Sequence, residues 1–323
     1  MSRSESRYIP RASLRVLTSL PESELSRLRE ACPELRLRVI PARGRLPLRA
    51  RGEILLIPPW DTGNLEKVLK RGVRWVHTIG TGVERFPLHL LKDQILTCSR
   101  GASGIPISEW AFAAMLAFEK KLPESWVRES PDTWNGGDLG GLHGRRLGIV
   151  GLGGIGVAAA RLGLAFGMKV RALRRSDAPS PVEGVECVNT LGEILANSDH
   201  LLLALPLTHD SLHILNIESL AMIPPGQGLH LMNVARGGLI DQGALRIALE
   251  DGRIARASLD VADPEPLPEG HWLFTHPGVR LSPHISWSMP GAFDLLMKTF
   301  IDNVGRYRRG EPLEGEVKPS LGY

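Results

Sequence analysis

The run Gly151-Leu-Gly153-Gly154-Ile155-Gly156 constrains this chain more than any other feature. It directly follows the apolar stretch Leu147–Val150 and opens a helix-patterned segment, Ile155–Phe166. A GxGxxG run recurs by chance in many proteins, but a strand before it and a helix after it supply the context the motif needs. Gly151 permits the tight turn, Gly153 lets the backbone approach a diphosphate, and Gly156 allows helix and strand to pack closely. The helix N-terminus then presents N–H groups and a positive dipole end to the phosphates. The segment predicts a dinucleotide-binding βαβ unit.

Alternation of strands and helices extends to both sides of that unit. Before it, Leu14–Leu20, Leu35–Ile40, Glu53–Ile57, Val73–Ile79 and Gln94–Cys98 read as strands, with helices at Pro21–Glu30 and Asn64–Lys70. Ser108–Lys121 reads as a helix with Ser108 as its N-cap and Pro123 beyond its end. Glu124–Gly144, rich in Gly, Asp and Trp, reads as a linker. After the glycines come strands at Lys169–Leu173, His200–Leu205, Leu229–Asn233 and Ile254–Asp260, and helices at Gln242–Asp251 and Ala292–Arg309. This alternation predicts an α/β protein with parallel sheets covered on both faces. A length of 323 residues suggests two domains.

Composition narrows the class further. Apolar residues at 43% and charged residues at 23% are ordinary for a globular chain. No apolar run approaches the ~20 residues of a membrane span, and the polar start MSRSESRYIPRAS has no signal-peptide core. Cys32, Cys98 and Cys187 are odd in number and widely spaced, with neither a CxxC pair nor a zinc spacing. These features predict a cytoplasmic protein without a metal site. Residues 1–51 hold 12 Arg, no Lys and five Glu, against a net charge of +4 for the whole chain. The arginines stand singly, without a block or interleaved aromatics, so they predict a solvated surface rather than a nucleic-acid patch.

The strand after the glycines bears on the choice of nucleotide. An acidic residue about 20 positions beyond them would accept hydrogen bonds from a ribose 2′-OH. Here Lys169–Leu173 runs into Arg174-Arg175-Ser176, with no carboxylate before Asp177. A guanidinium binds a 2′-phosphate that a carboxylate would repel. NADP(H) is therefore the preferred cofactor, with NAD(H) left open.

Three loops in the second half each follow a strand: Asn233-Val-Ala-Arg236-Gly-Gly, Leu259-Asp260-Val-Ala-Asp-Pro-Glu265-Pro-Leu-Pro and Ser282-Pro-His284-Ile. Ligands of open α/β sheets bind beyond the carboxyl ends of the strands. Reduction of a 2-keto acid needs a cation for the carboxylate, a proton donor for the developing alkoxide and a group that orients the donor. Arg236 suits the first role, since its fork pairs with a carboxylate and stays charged. His284 suits the second, because imidazole gives and takes protons near neutrality. Glu265 suits the third, fixing the tautomer of the imidazole and favouring its protonated form.

With these motifs in place, the chain resembles the D-isomer-specific 2-hydroxyacid dehydrogenase family over nearly its whole length. The resemblance rests on Gly151–Gly156, Leu205-Pro206-Leu-Thr208, Asn233–Asp241 (NVARGGLID), Leu259–Pro268 (LDVADPEPLP) and Ser282–Ile285 (SPHI). It implies a Rossmann cofactor domain, residues 119–290, inserted in a flavodoxin-like substrate domain built from residues 1–118 and 291–323. It implies that Arg236, Glu265 and His284 are catalytic, that Asp260 meets the nicotinamide amide, and that Leu205, Pro206, Thr208 and Ala235 line the cofactor. It suggests that the loop carrying Thr81 and Gly82 offers N–H groups to the substrate carboxylate, and that the protein is a homodimer joined through the cofactor domain.

Two departures stand out. Arg174 replaces the aspartate of NAD-using members, and Gly154 is often bulkier elsewhere. Trp287, after the histidine, is a candidate contact for the substrate side chain. The substrate is a small 2-keto or 2-hydroxy acid, with glyoxylate and hydroxypyruvate as first trials. The alternatives are a nucleotide-binding regulator on the same fold with little turnover, and formate or phosphite oxidation.

Overall fold

In the computed structural model, which describes residues 13–60, 62–175 and 178–319, every pairing between strands is parallel. The polar segment 1–12, Ser176 and Asp177 lie outside the described residues. Contacts divide the chain into two units, one formed by residues up to Ser103 together with those from Pro290 onward, the other by Gly104–Met289.

The first unit holds β1 (Arg15–Thr18), β2 (Arg36–Val39), β3 (Ile54–Ile57), β4 (Trp75–Thr78) and β5 (Ile95–Cys98), in the order β2-β1-β3-β4-β5. This is the flavodoxin-like order expected of a doubly wound sheet. Helices α1 (Ser26–Ala31) and α2 (Leu65–Leu69) connect the strands. The central strands β3 and β4 are buried at every position, as a sheet covered on both faces requires. The helix Ala292–Arg309 returns to this unit, where Phe300 stacks on Trp75 at 5.2 Å between ring centres. The chain then closes the sheet edge, with Thr97 and Glu316 forming an antiparallel bridge.

The second unit begins with α3 (Gly104–Glu119), followed by β6 (Arg146–Val150), α4 (Gly154–Ala165), β7 (Lys169–Leu173), β8 (Glu186–Val188), α5 (Leu191–Ala196), β9 (His200–Leu203), α6 (Ile217–Leu220), β10 (Leu229–Asn233), α7 (Gln242–Glu250), β11 (Ile254–Leu259) and β12 (Val279–Leu281). Its seven strands run β12-β11-β10-β9-β6-β7-β8, so the order reverses between β6 and β9. The glycine motif follows β6 at that switch point, where doubly wound sheets bind nucleotides. The expected pair of doubly wound α/β domains is thus present.

Contacts place the boundaries at 103/104 and 289/290, beside the 118/119 and 290/291 suggested by the sequence, and α3 packs on α4. A β-carbon on Gly104 would stand 2.8 Å from the Gly154 carbonyl oxygen, and Phe112 stacks on Phe166 at 5.3 Å. Ser108 is not an N-cap: α3 starts four residues earlier, and the Ser108 hydroxyl donates to the Ile105 carbonyl. Pro106 fits the first turn, where its missing N–H costs no helical bond.

The short elements β8, α5, α6 and β12 are not among the elements expected from periodicity. For α5 a signal existed: Thr190 and Glu193 form a capping box.

Near the amino ends of β9 and β10, the side chains of His200 and His230 form a fully buried chain between Glu119 and Ser258. His200 Nε2 bonds Glu119 at 3.0 Å, the two Nδ1 atoms meet at 3.1 Å, and His230 Nε2 meets the Ser258 hydroxyl at 2.9 Å. With the Glu119 carboxylate accepting, His200 carries its hydrogen on Nε2, His230 on Nδ1, and Ser258 donates.

Candidate active site

The cofactor loop is shaped by backbone contacts that exclude side chains. Gly151 sits at φ 100°, and a β-carbon there would lie 2.8 Å from the carbonyl carbon of Ala204. At Gly156 a β-carbon would fall onto the Gly151 carbonyl. Both positions therefore require glycine. Gly153 differs: a β-carbon there would have nothing within 4 Å, and no side chain caps α4. The first-turn N–H groups of α4, from Gly154 and Ile155 onward, receive no side-chain cap among the described residues. An uncapped helix start behind an unobstructed glycine suits a dinucleotide diphosphate.

On the neighbouring strand, the loop Leu205–Thr208 is held by Ser211. Its hydroxyl donates to the Pro206 carbonyl and accepts from the Thr208 N–H, each at 2.8 Å. Beyond β7, Arg174 is half-buried and its Nη1 donates to the carbonyls of Ala178 and Pro179, at 3.1 and 2.8 Å. Arg175 is exposed. Both guanidinium groups therefore belong to the loop at the end of β7.

Three further loops carry the candidate chemistry. After β10, Asn233 accepts from the Ala235 N–H at 3.1 Å and donates to the Arg236 carbonyl at 2.8 Å, which turns Arg236 out of the strand. This asparagine clamp was missed from the sequence, although an Asx turn was the available signal. Arg236 is half-buried, and its Nη1 donates to the Ala235 carbonyl at 2.6 Å. A β-carbon on Gly237 would collide with the backbone of Ala262 and Asp263, so the Arg236 loop lies flush against the loop that leads to Glu265.

Glu265 uses its two oxygens differently. Oε1 accepts from the Ala262 N–H at 3.2 Å, and Oε2 accepts from His284 Nδ1 at 2.9 Å. With Nδ1 donating to the carboxylate, Nε2 is the atom available for proton exchange. The side chains are 43% exposed for His284 and 27% for Glu265, so a substrate can reach them. His284 has φ 57°, a left-handed conformation that costs a residue with a β-carbon about 1 kcal/mol or more. Asp260, buried beneath it, accepts hydrogen bonds from Ser282, Ile285 and Ser286. Trp287 donates its indole N–H to the His284 carbonyl at 3.1 Å, and its ring is exposed.

Thr81 and Gly82 belong to the first unit, at the end of β4, and both are half-buried. Gly80 precedes them at φ 146° with Pro59 packed against it, while the Gly80 carbonyl accepts from the Ser99 N–H. No group of three or more metal-ligating side chains occurs among the described residues.

The family model of the D-isomer specific 2-hydroxyacid dehydrogenase NAD binding domain matches residues 112–286. The chain is 31% identical over 247 residues to D-3-phosphoglycerate dehydrogenase of Methanocaldococcus jannaschii, covering 74% of this chain and 46% of that protein. It is 28% identical over 270 residues to glyoxylate/hydroxypyruvate reductase A of Photorhabdus laumondii, covering 79% and 83%. It thus spans less than half of the first relative and most of the second. Among solved structures, a D-isomer specific 2-hydroxyacid dehydrogenase of Xanthobacter autotrophicus, in complex with NADPH and MES, superposes with a TM-score of 0.81 at 28% identity, over 97% of this chain and 100% of that one.

Proposed function

Because the chain belongs to the D-isomer specific 2-hydroxyacid dehydrogenase family, we propose that it moves a hydride between a nicotinamide cofactor and a small 2-keto or 2-hydroxy acid of D configuration. The observation that carries this reading is the His284–Glu265 hydrogen bond of 2.9 Å, placed beyond the carboxyl ends of the strands in a sheet that also presents Gly151–Gly156 and Arg236.

The cofactor, when bound, supplies or accepts the hydride. Gly151, Gly153, Gly154, Ile155 and Gly156 receive its diphosphate on the open start of α4, while Leu205, Pro206, Thr208, Ala235 and Asp260 flank the remainder. Arg174 and Arg175 receive a 2′-phosphate, so NADP(H) is preferred over NAD(H). The NADPH in the X. autotrophicus structure supports that preference.

Arg236 binds the substrate carboxylate through its guanidinium fork. His284 Nε2–H donates to the carbonyl oxygen and gives up its proton as the alkoxide forms. Glu265 holds Nδ1–H throughout and stabilises the imidazolium. The carbonyl carbon gains the hydride and its oxygen the proton, giving the 2-hydroxy acid. In the reverse direction the same Nε2 takes the hydroxyl proton. Trp287 is positioned by its bond to the His284 carbonyl to border the substrate side chain.

Glyoxylate and hydroxypyruvate are the first substrates to test, since the P. laumondii relative is named for them. Mixing the protein with NADPH or NADH and a panel of 2-keto acids, while following loss of reduced-nicotinamide absorbance, tests the proposal. Fast NADPH oxidation with one acid supports it; silence across the panel despite cofactor binding refutes it.

The free Cys32, Cys98 and Cys187 suit a reducing cytoplasm. A homodimer formed through the second unit is supported by Trp126 and Trp134, which are 69% and 71% exposed on its linker. Light scattering decides that point.

A further inference from the structure

Four hydrogen bonds converge from a single residue on the turn that presents His284. Asp260 is 1% exposed. Its Oδ1 accepts from the Ser282 hydroxyl at 2.6 Å and from the Ile285 N–H at 2.8 Å, and its Oδ2 accepts from the Ser286 N–H at 2.9 Å. Its main-chain carbonyl accepts from the His284 N–H at 2.8 Å. Between these anchors His284 takes φ 57°, which places its side chain where an ordinary extended residue would not. None of the four bonds touches the imidazole. The ring itself bonds Glu265, on a different loop.

The chemistry of the anchor is selective. A buried carboxylate is stable only when donors surround it, and charged acceptors make the shorter, stronger bonds. Ser282, Ile285 and Ser286 supply those donors from both sides of His284. Asparagine at 260 would keep one acceptor oxygen but turn an NH₂ group toward at least one of the donors.

We propose that Asp260 is a positioning residue for His284, its carboxylate holding the Ser282–Ser286 turn in the left-handed form that sets Nδ1 on Glu265. This rests on the reading of His284 as the proton donor and adds to any contact of Asp260 with the nicotinamide amide. Removing the anchor lets the turn relax, and the imidazole leaves its partner while the cofactor loop is untouched. A misplacement of about 1 Å at a reacting group costs on the order of 10² in rate.

The test uses the full chain with histidine labelled for NMR, the His284 signal being assigned by its absence in His284→Ala. In the wild type, the Nδ1–H proton bonded to Glu265 gives a downfield resonance. Asp260→Asn is expected to abolish it and to lower kcat on the order of 10²-fold. Ser282→Ala removes one donor and leaves the carboxylate in place. It is expected to weaken the resonance and lower kcat about tenfold, with NADPH Kd within about twofold of wild type. Because Ser282→Ala spares Asp260, its result stands even where Asp260→Asn folds poorly. An unchanged resonance in Ser282→Ala together with unchanged kcat overturns the proposal, as does an Asp260→Asn protein that loses only NADPH affinity. Loss of the resonance alongside normal turnover by His284→Ala would support the positioning role and overturn the proton-donor reading instead.

Discussion

Two His–Glu pairs sit on the same seven-stranded sheet, with hydrogen bonds of almost equal length. His284 meets Glu265 at 2.9 Å beyond the carboxyl ends of the strands, and His200 meets Glu119 at 3.0 Å near the amino ends. Their surroundings differ sharply. The first pair is 43% and 27% exposed, whereas the second is 0% and 5% exposed. Burial pushes His200 down to about 4 and His230 well below its ordinary value, so both imidazoles are neutral links in a buried chain. Its ring nitrogens are all committed, from Glu119 through His200 and His230 to Ser258. His284 commits Nδ1 to Glu265, and Nε2 is the atom to which the proposed proton transfer is assigned. A His–Glu contact is therefore reactive or structural according to where the sheet places it and whether a nitrogen is left over.

The largest test of this contrast is His284→Ala, expected to lower kcat by roughly 10²–10⁴ while leaving the melting temperature and NADPH affinity nearly unchanged. Wild-type turnover would erase the distinction between the pairs. The reciprocal change, His200→Ala, removes one member of a buried network and leaves polar partners unsatisfied. A loss of about 2–4 kcal/mol in unfolding free energy is expected, read by urea titration, with kcat per folded molecule unaltered.

Acid sharpens the same difference. A histidine held neutral in the fold, with its pKa pushed from 6.5 to about 4 at His200, binds fewer protons folded than unfolded. Its stabilisation is complete above about pH 6.5 and declines as pH falls, by about 1.4 kcal/mol per pH unit, until the folded group itself protonates near 4. His77, fully buried in the first unit and pushed to about 3, follows the same sign over a wider window. Replacing His200 should flatten the acid limb of a melting-temperature profile for the second unit. An unchanged limb in the His200 variant would mean that another group sets the acid sensitivity.

Arginines provide the smallest test. Arg174→Asp, at the carboxyl end of β7, is expected to weaken NADPH binding about tenfold more than NADH binding, checked by fluorescence titration. Arg146, at the amino end of β6, is held by Asp199 through bonds of 2.7 to 3.2 Å. Arg146→Ala should cost about 1 kcal/mol of stability and leave both cofactor affinities alone. Equal loss for both nucleotides in Arg174→Asp would point to a general effect on the loop.

Much of this molecule was legible along the chain. Lys169–Leu173, Leu229–Asn233 and Ala292–Arg309 fall where apolar periodicity put them, because each is a strand or helix with a full buried face. The short β8 and β12 escaped, since three residues carry too little pattern to separate a strand from a loop. The start of α3 escaped because Gly104 and Pro106 read as turn residues, while in the fold Gly104 is needed for close contact with Gly154. The residues Arg236, Glu265 and His284 were legible as residue types at strand ends, but the bonds that place them were not.

The sequence by itself determined the layered α/β class and the glycine turn suited to a nicotinamide dinucleotide, because these depend on backbone freedom and on periodicities local to a few residues. Only the tertiary structure decided that Gly237 presses the Arg236 loop onto Ala262, that Asp260 anchors the turn beneath His284, and that His200 and His230 are structural. Those assignments depend on contacts between segments distant in the chain, and on a burial that turns one histidine into a link and leaves another partly exposed.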